Sequence, residues 1–200
     1  LPQAGDLAED DQMDEEFIKA SQFHGHICPG LAIGYRVAKY VLGHFPRSED
    51  EELVALAENK SCSIDAIQYM LGCTMGKGNL VLQDNGKQAF TFFSRDRGVA
   101  MRIYFKMNLS QRMDAMRKSN PDLGEAELMR RARQEAVEYI LEASDEDLLE
   151  VSDLDLAPPR KARIYPTLHC QECGEGFMEI RGRAIGGKVV CQGCFDRLTT

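Results

Sequence analysis

Between residues 13 and 157, stretches with apolar side chains three and four apart exchange with shorter ones in which they crowd together or alternate. Met13 to Gln22 is predicted helical, with Phe17, Ile18 and Ser21 on one side. Leu31 to Leu42 repeats Leu31, Tyr35, Ala38 and Leu42 and is predicted to stop at Gly43. Gly30 and Gly34 leave room for a second backbone, and Arg36 stands out as a cation two turns beyond Cys28. Glu52 to Glu58 is predicted as a strand. The middle of Cys62–Cys73 is a helix with Ile64, Ile67 and Leu71 inward and Ser61 or Ser63 as its cap. A Gly-rich loop, Thr74 to Asn79, follows. Leu80 to Gln83 and Lys87 to Phe93 flank Asp84-Asn85-Gly86, a hairpin signature because Asn and Gly accept positive φ. Val99 to Lys106 is a third strand. The helical period returns at Ser110, breaks at Asn120-Pro121 and resumes over Glu125 to Ala143. There Leu128, Ala132, Ala136, Tyr139, Ile140 and Ala143 are expected to face a sheet, with Glu127 and Arg131 paired in solvent. Asp145 to Asp155 suits a helical turn and then an edge strand.

The pattern predicts an α+β fold, a mixed or antiparallel sheet covered by helices. Pro158-Pro159-Arg160-Lys161 opens a linker, assigned to 158–167, and the period is lost beyond it. The expected organisation is an acidic disordered tail over 1–12, an α+β domain over 13–157, and a small four-cysteine zinc ribbon over 168–200.

Charge changes one part of this picture. Of a net −8, residues 1 to 16 contribute seven acids and no base, so the remainder is close to neutral. A nucleic-acid surface needs a basic face, so nucleic acid is not an expected partner. The ribbon itself balances four bases against four acids. No apolar run reaches the ~18–20 residues a spanning helix needs, so no membrane partner is expected. No basic and then apolar leader is visible, which together with cysteine usage points to the cytoplasm.

Seven cysteines is an odd number, and four of them form two CxxC pairs, which favours metal ligation over a disulfide framework. Cys170, Cys173, Cys191 and Cys194, with seventeen residues between the pairs, have the spacing of a closed tetrahedral zinc site. Each pair is expected on a tight knuckle opened by Gly174 or Gly193, with Phe177 to Val190 as a hairpin tipped by Gly186-Gly187. So short a segment cannot bury enough surface alone, and zinc, at ~10–16 kcal/mol in small zinc peptides, would supply its folding energy. His169 is expected outside the ligand set.

The second concentration is Phe23-His-Gly-His-Ile-Cys-Pro-Gly30. His24 and His26 lie on one side of a segment expected to be extended. Cys28 stands at a helix start, where unpaired N–H groups favour a thiolate. With Cys62 and Cys73 they offer five ligands, of which a subset is expected to hold a second transition metal, zinc being the first choice. Three ligands would leave a position open for chemistry, and four would close the site. Cys62 and Cys73 are about 16 Å apart along a straight helix, so a turn at Gly72 would be needed to bring both in. Asp65 and Lys77 are the candidates for holding an anion or substrate. Gly72 to Gly78 fails as a phosphate loop, because its spacer is short and Gly78 stands where Ser or Thr should be.

Four blocks together resemble the FmdE family of formylmethanofuran dehydrogenase components: Phe23-His-Gly-His-Ile-Cys-Pro-Gly-Leu-Ala-Ile-Gly-Tyr-Arg36, Cys62-Ser-Ile-Asp-Ala-Ile-Gln68, Gly72-Cys-Thr-Met-Gly-Lys-Gly-Asn-Leu80 and Asp84-Asn-Gly-Lys-Gln-Ala-Phe90. The resemblance spans 13 to about 155. It implies an α+β domain with helices on one side of its sheet. It also implies association with the molybdenum or tungsten enzyme that interconverts carbon dioxide and the formyl group on methanofuran, in which the FmdE component is not the molybdopterin-bearing part. The family's His and Cys positions carry over onto His24, His26, Cys28, Cys62 and Cys73. Two readings follow. One is a metal-binding accessory subunit or stand-alone protein of C1 or molybdenum–tungsten enzyme metabolism, partnered by such redox subunits and by a second copy of itself. The other is a zinc-ribbon interaction or metal-sensing module without catalysis. The residues alone prove no catalytic constellation, and the enzyme role the resemblance implies is that of a subunit or relative of formylmethanofuran dehydrogenase, an oxidoreductase.

Overall fold

In the computed structural model, which describes residues 13–200, the chain divides at the predicted linker into a unit ending at Lys161 and a unit of Ala162–Thr200. The acidic tail predicted over 1–12 lies outside the described residues.

The first unit begins with α1 (Glu15–His24), whose first turn is capped by Asp14 accepting from the Glu16 amide. Phe17 and Ala20 are its buried face; Ile18 and Ser21, expected there, are half-buried. α2 (Pro29–Leu42) starts with Pro at its first position, where no amide is needed. β1 (Leu53–Ala57), α3 (Ser63–Leu71) and β2 (Leu80–Leu82) form a crossover, with β1 and β2 parallel. β3 (Ala89–Ser94), β4 (Val99–Phe105) and β5 (Leu149–Leu154) are antiparallel neighbours in turn. The sheet order is β2-β1-β3-β4-β5, a mixed sheet with β5 at one edge as predicted.

Successive side chains of each strand alternate between two faces. Leu53, Ala55, Ala57, Phe90, Phe92, Met101, Ile103 and Phe105 meet Leu31, Val37, Ile67 and Leu71 of α2 and α3 in the main core. Val54, Phe93 and Ala100 form a smaller cluster on the opposite face. The buried side of α3 is Ser63, Ala66, Ile67, Met70 and Leu71, with Ile64 half-buried. Cys62 occupies the N-cap, and neither Ser61 nor Ser63 caps the helix.

Two expectations are corrected. β2 and β3 are not a hairpin: the Gly86 turn forms, at φ 68°, but the Gln83 amide donates to Ala57 O, and the Asn85 and Lys87 amides to Glu58 O. The connection therefore passes over the end of β1, which takes the place between β2 and β3. The helix over 125–143, α5 (Glu125–Glu142), packs on α2 and on α4 (Leu109–Ser119) rather than on the sheet. Its buried residues are Leu128, Ala136, Val137 and Ile140, while Tyr139 is exposed and meets the Arg112 guanidinium. Arg36, singled out in the sequence, serves a helix end. Buried on α2, it donates to the carbonyls of Ile140 and Leu141 and to Asp145, closing the C-terminus of α5 before the short helix α6 (Asp145–Leu148).

The second unit holds two two-stranded ribbons, β6 (Thr167–His169) with β7 (Gly176–Met178) and β8 (Arg183–Ile185) with β9 (Lys188–Val190), then α7 (Gln192–Thr199). The hairpin over Phe177 to Val190 is narrower than predicted. Only 183–190 pair across the Gly186-Gly187 turn, at φ 55° and 77°, because Phe177 pairs with Leu168 instead.

Candidate metal centres

The first centre is assembled by the ends of three helices. α1 ends at His24, and Gly25 turns the chain at φ 98°, a conformation nearly confined to glycine. This bend, not an extended segment, brings the His24 and His26 rings to 4.5 Å. Cys28 is the N-cap of α2, its sulfur accepting the Leu31 amide at 3.4 Å. Cys62 is the N-cap of α3.

Packing of α2 on α3 joins the two cysteines. A Cβ on Gly34 would stand 2.1 Å from the Ser63 carbonyl oxygen, and one on Gly30 would stand 3.0 Å from Cys62 Cβ. Only glycine allows this approach, which draws the two helix starts together. One ligand atom from each of His24, His26, Cys28 and Cys62 then lies within 4.8 Å of the other three. Asn59 braces the Cys62 loop by accepting from the Ser61 amide and hydroxyl while donating to the Lys87 carbonyl.

His24 is oriented by a carboxylate. Its Nδ1 is 2.6 Å from Asp65 Oδ2, and its Nε2 lies 3.8 Å from Cys28 Sγ. Gln68 in turn donates to Asp65 Oδ1. A carboxylate on one imidazole nitrogen leaves the other as a lone-pair donor, the arrangement found behind metal-bound histidines. Burial, with Cys62 adding to it, pushes the Cys28 thiol up to about 11 against the pull of the Leu31 and Gly30 amides. The helix start alone therefore does not make Cys28 a thiolate, and a cation in the cluster would provide the opposing charge.

Of the remaining sequence candidates, Cys73 and Lys77 lie elsewhere, and Asp65 stands behind His24. Cys73 is fully buried at the far end of α3, its Sγ donates to Leu53 O, and burial raises its thiol to about 12. Gly72 does turn left-handed, at φ 69°, but it sends the chain toward Ser48 and β1 rather than back to Cys62. Lys77 donates to the carbonyls of Ser48 and Glu49, and Asp65 is engaged by His24 and Gln68. The Asp65–His24 contact was missed by sequence reasoning: 41 positions separate the two residues, and only the α1–α3 packing joins them.

The second centre is Cys170, Cys173, Cys191 and Cys194, also within 4.8 Å of one another. Cys170 and Cys173 sit on a knuckle turned by Gly174 at φ 78°. Cys191 and Cys194 do not: Cys191 caps α7 and Cys194 lies one turn on, with Gly193 inside the helix. Positions three apart on a helix share a face, so the helix start replaces the second knuckle. Burial would raise the Cys170 thiol, but amides of Glu172, Cys173 and Cys191 turned to its sulfur outweigh it and hold it at about 6. Cys170, Cys194 and Val190 are the buried residues of this unit, flanked by Phe177, Ile185 and Phe195. His169 is exposed and outside the cluster.

Comparisons with known proteins agree with this division. A family model described as "FmdE, Molybdenum formylmethanofuran dehydrogenase operon" matches residues 23–150, and one described as "Prokaryotic dksA/traR C4-type zinc finger" matches 163–199. A probable S-adenosyl-L-methionine-binding protein of Archaeoglobus fulgidus is 27% identical over 82% of this chain, which spans about half (49%) of that relative. A solved FmdE-like protein of tungsten formylmethanofuran dehydrogenase from Syntrophus aciditrophicus superposes with a TM-score of 0.60 at 23% identity, over 90% of this chain and 91% of the other. That likeness concerns the fold.

Proposed function

The chain belongs to the FmdE family, and from that membership we propose that its first unit holds a transition metal, zinc by donor preference, through His24 Nε2, His26, Cys28 and Cys62. The observation that carries this reading is the convergence of the four ligand atoms within 4.8 Å. Two imidazoles and two thiolates form a set that zinc takes tetrahedrally, and the donor types and count fit the ion. The four-cysteine zinc finger of the second unit stabilises that unit.

At the first centre the ion would supply Lewis acidity or fix the junction of α1, α2 and α3. The protein's own residues set the terms. Asp65 fixes the His24 ring, Cys28 and Cys62 are held by helix starts, and His26 is exposed. Exposure makes His26 the ligand a substrate would displace. With all four bound, the centre is closed and suits a structural or sensing role. With His26 released, three ligands and an open position suit C1 chemistry or delivery to a molybdenum- or tungsten-dependent partner. We propose the second arrangement as the working state of an accessory or stand-alone protein in that metabolism, acting in the cytoplasm as a homodimer.

Metal analysis of the intact chain tests this. Two zinc ions per chain are expected, falling to one in the Cys28→Ser/Cys62→Ser double variant. Unchanged content in that variant overturns the first centre. With cobalt in place of zinc, a change in the visible bands on adding azide supports an open position, and unaltered bands leave the closed, non-catalytic reading.

A further inference from the structure

We propose that a cavity between the β3 entry, the end of β4 and the start of α4 binds a small organic anion carrying a carboxylate or phosphate group. The cavity, about 680 Å³, is lined by Ile33, Lys87, Gln88, Tyr104, Lys106 and Asn108 among others, and no carboxylate is in its wall. In a chain of net charge −8, a wall with two lysines and no acid is a local reversal of sign. Lys87, Tyr104, Lys106 and Asn108 are exposed, so the cavity is an open depression on the surface, with room for a small ligand.

Neither ammonium is neutralised. Among the described residues, Lys87 Nζ has no carboxylate within ion-pair distance and no hydrogen-bond acceptor. The acid whose charge it feels, Glu58, is held by Arg102 and Asn85. Lys106 Nζ donates to the Glu146 carbonyl, a neutral group, and keeps two further N–H donors. The polar groups around them are also biased toward donation. Asn108 Oδ1 is occupied by the Gln111 amide, leaving its NH2 free, and Gln88 Oε1 is occupied by Asn59. Asn108 is also the N-cap of the eleven-residue helix α4, so the positive end of that helix faces the same space. The cavity therefore presents two cations, two amide donors and a helix N-terminus, and the complement is an acceptor-rich anion. The exposed Tyr104 ring and buried Ile33 add an apolar wall for the organic part. The Asn59–Lys87 carbonyl bond, 2.8 Å, fixes the backbone that carries the first lysine. The site stands independently of which metal fills the first centre.

Calorimetric titration of the intact, zinc-loaded chain at low ionic strength tests this, with inorganic phosphate and succinate as probes. Saturable binding of at least one probe at one site per chain is expected, weakened about tenfold or more in Lys87→Gln and in Lys106→Gln and unaltered in Lys161→Gln. Phosphate alone identifies a phosphate ligand, succinate alone a carboxylate, and both a site selected by charge. Binding of neither probe, or wild-type affinity in either cavity variant with the far-ultraviolet spectrum unchanged, overturns the proposal.

Discussion

His24 presents its two nitrogens to two different settings, Nδ1 to the Asp65 carboxylate and Nε2 to the cysteine side of the cluster. Replacing Asp65 by Asn keeps the size and removes the charge that holds the ring. Metal affinity at the first centre should fall about 10–100-fold in Asp65→Asn, with the second zinc unaffected. Competition against a coloured chelator would read this, and equal affinity would show that Asp65 does not act through His24. A second residue-level prediction concerns acid. Asp14 is held down to about 2 by its bond to Lys39, with Tyr35 and the Glu16 amide assisting. A carboxyl lowered on folding gives stability that is full above the unfolded value near 4 and is lost as pH falls toward 2. Asp14 is partly exposed, so screening keeps the effect below what the shift alone implies. Melting temperature should drop between pH 4 and 2, and the drop should be shallower in Asp14→Asn. At this scale the convergence of His24, His26 and Cys28 was legible, because His and Cys cluster in so short a segment. The exclusion of Cys73 was not, since it follows from the direction in which Gly72 sends the chain.

Elements obey the sequence where local chemistry decides them and depart where a neighbour does. α2 ended at Gly43, α4 broke at Asn120-Pro121, and β5 took an edge, all as predicted from period and punctuation. The hairpin failed because Asn-Gly fixes the φ of a turn but not the strand that receives its amides. Here the carbonyls ending β1 took them. Likewise α5 has an apolar face of the expected period, but periodicity cannot tell whether a sheet or a helix covers it. The contact most sensitive at this scale is α2 on α3. In Gly34→Ala the new methyl meets backbone, which cannot rotate away. Overpacking costs about 1–3 kcal/mol, and the methyl would also push Cys28 from Cys62. The variant should lose both stability, seen as a lower urea midpoint, and metal at the first centre. Retention of both would mean that the helices separate without disturbing the site.

The size of each unit's core decides how far its fold would depend on metal. The first has a continuous core running from Phe17 to Leu149, within which the His/Cys cluster is one corner. The second buries little more than Val190 and two of its own ligands, and about 39 residues with so small a core do not hold a fold without a staple. Stripping metal with a strong chelator under reducing conditions should therefore collapse the amide dispersion of residues beyond Ala162. In the first unit, shifts should be confined to the segments around His24–Cys28 and Cys62. Protease sensitivity should rise beyond Lys161 and stay low before it, and zinc should restore both. If the second unit kept its dispersion without metal, its fold would rest on the hairpins and α7 alone. If the first unit melted as well, the junction of α1, α2 and α3 would be metal-dependent, and the closed, structural form of the first centre would gain over the open one.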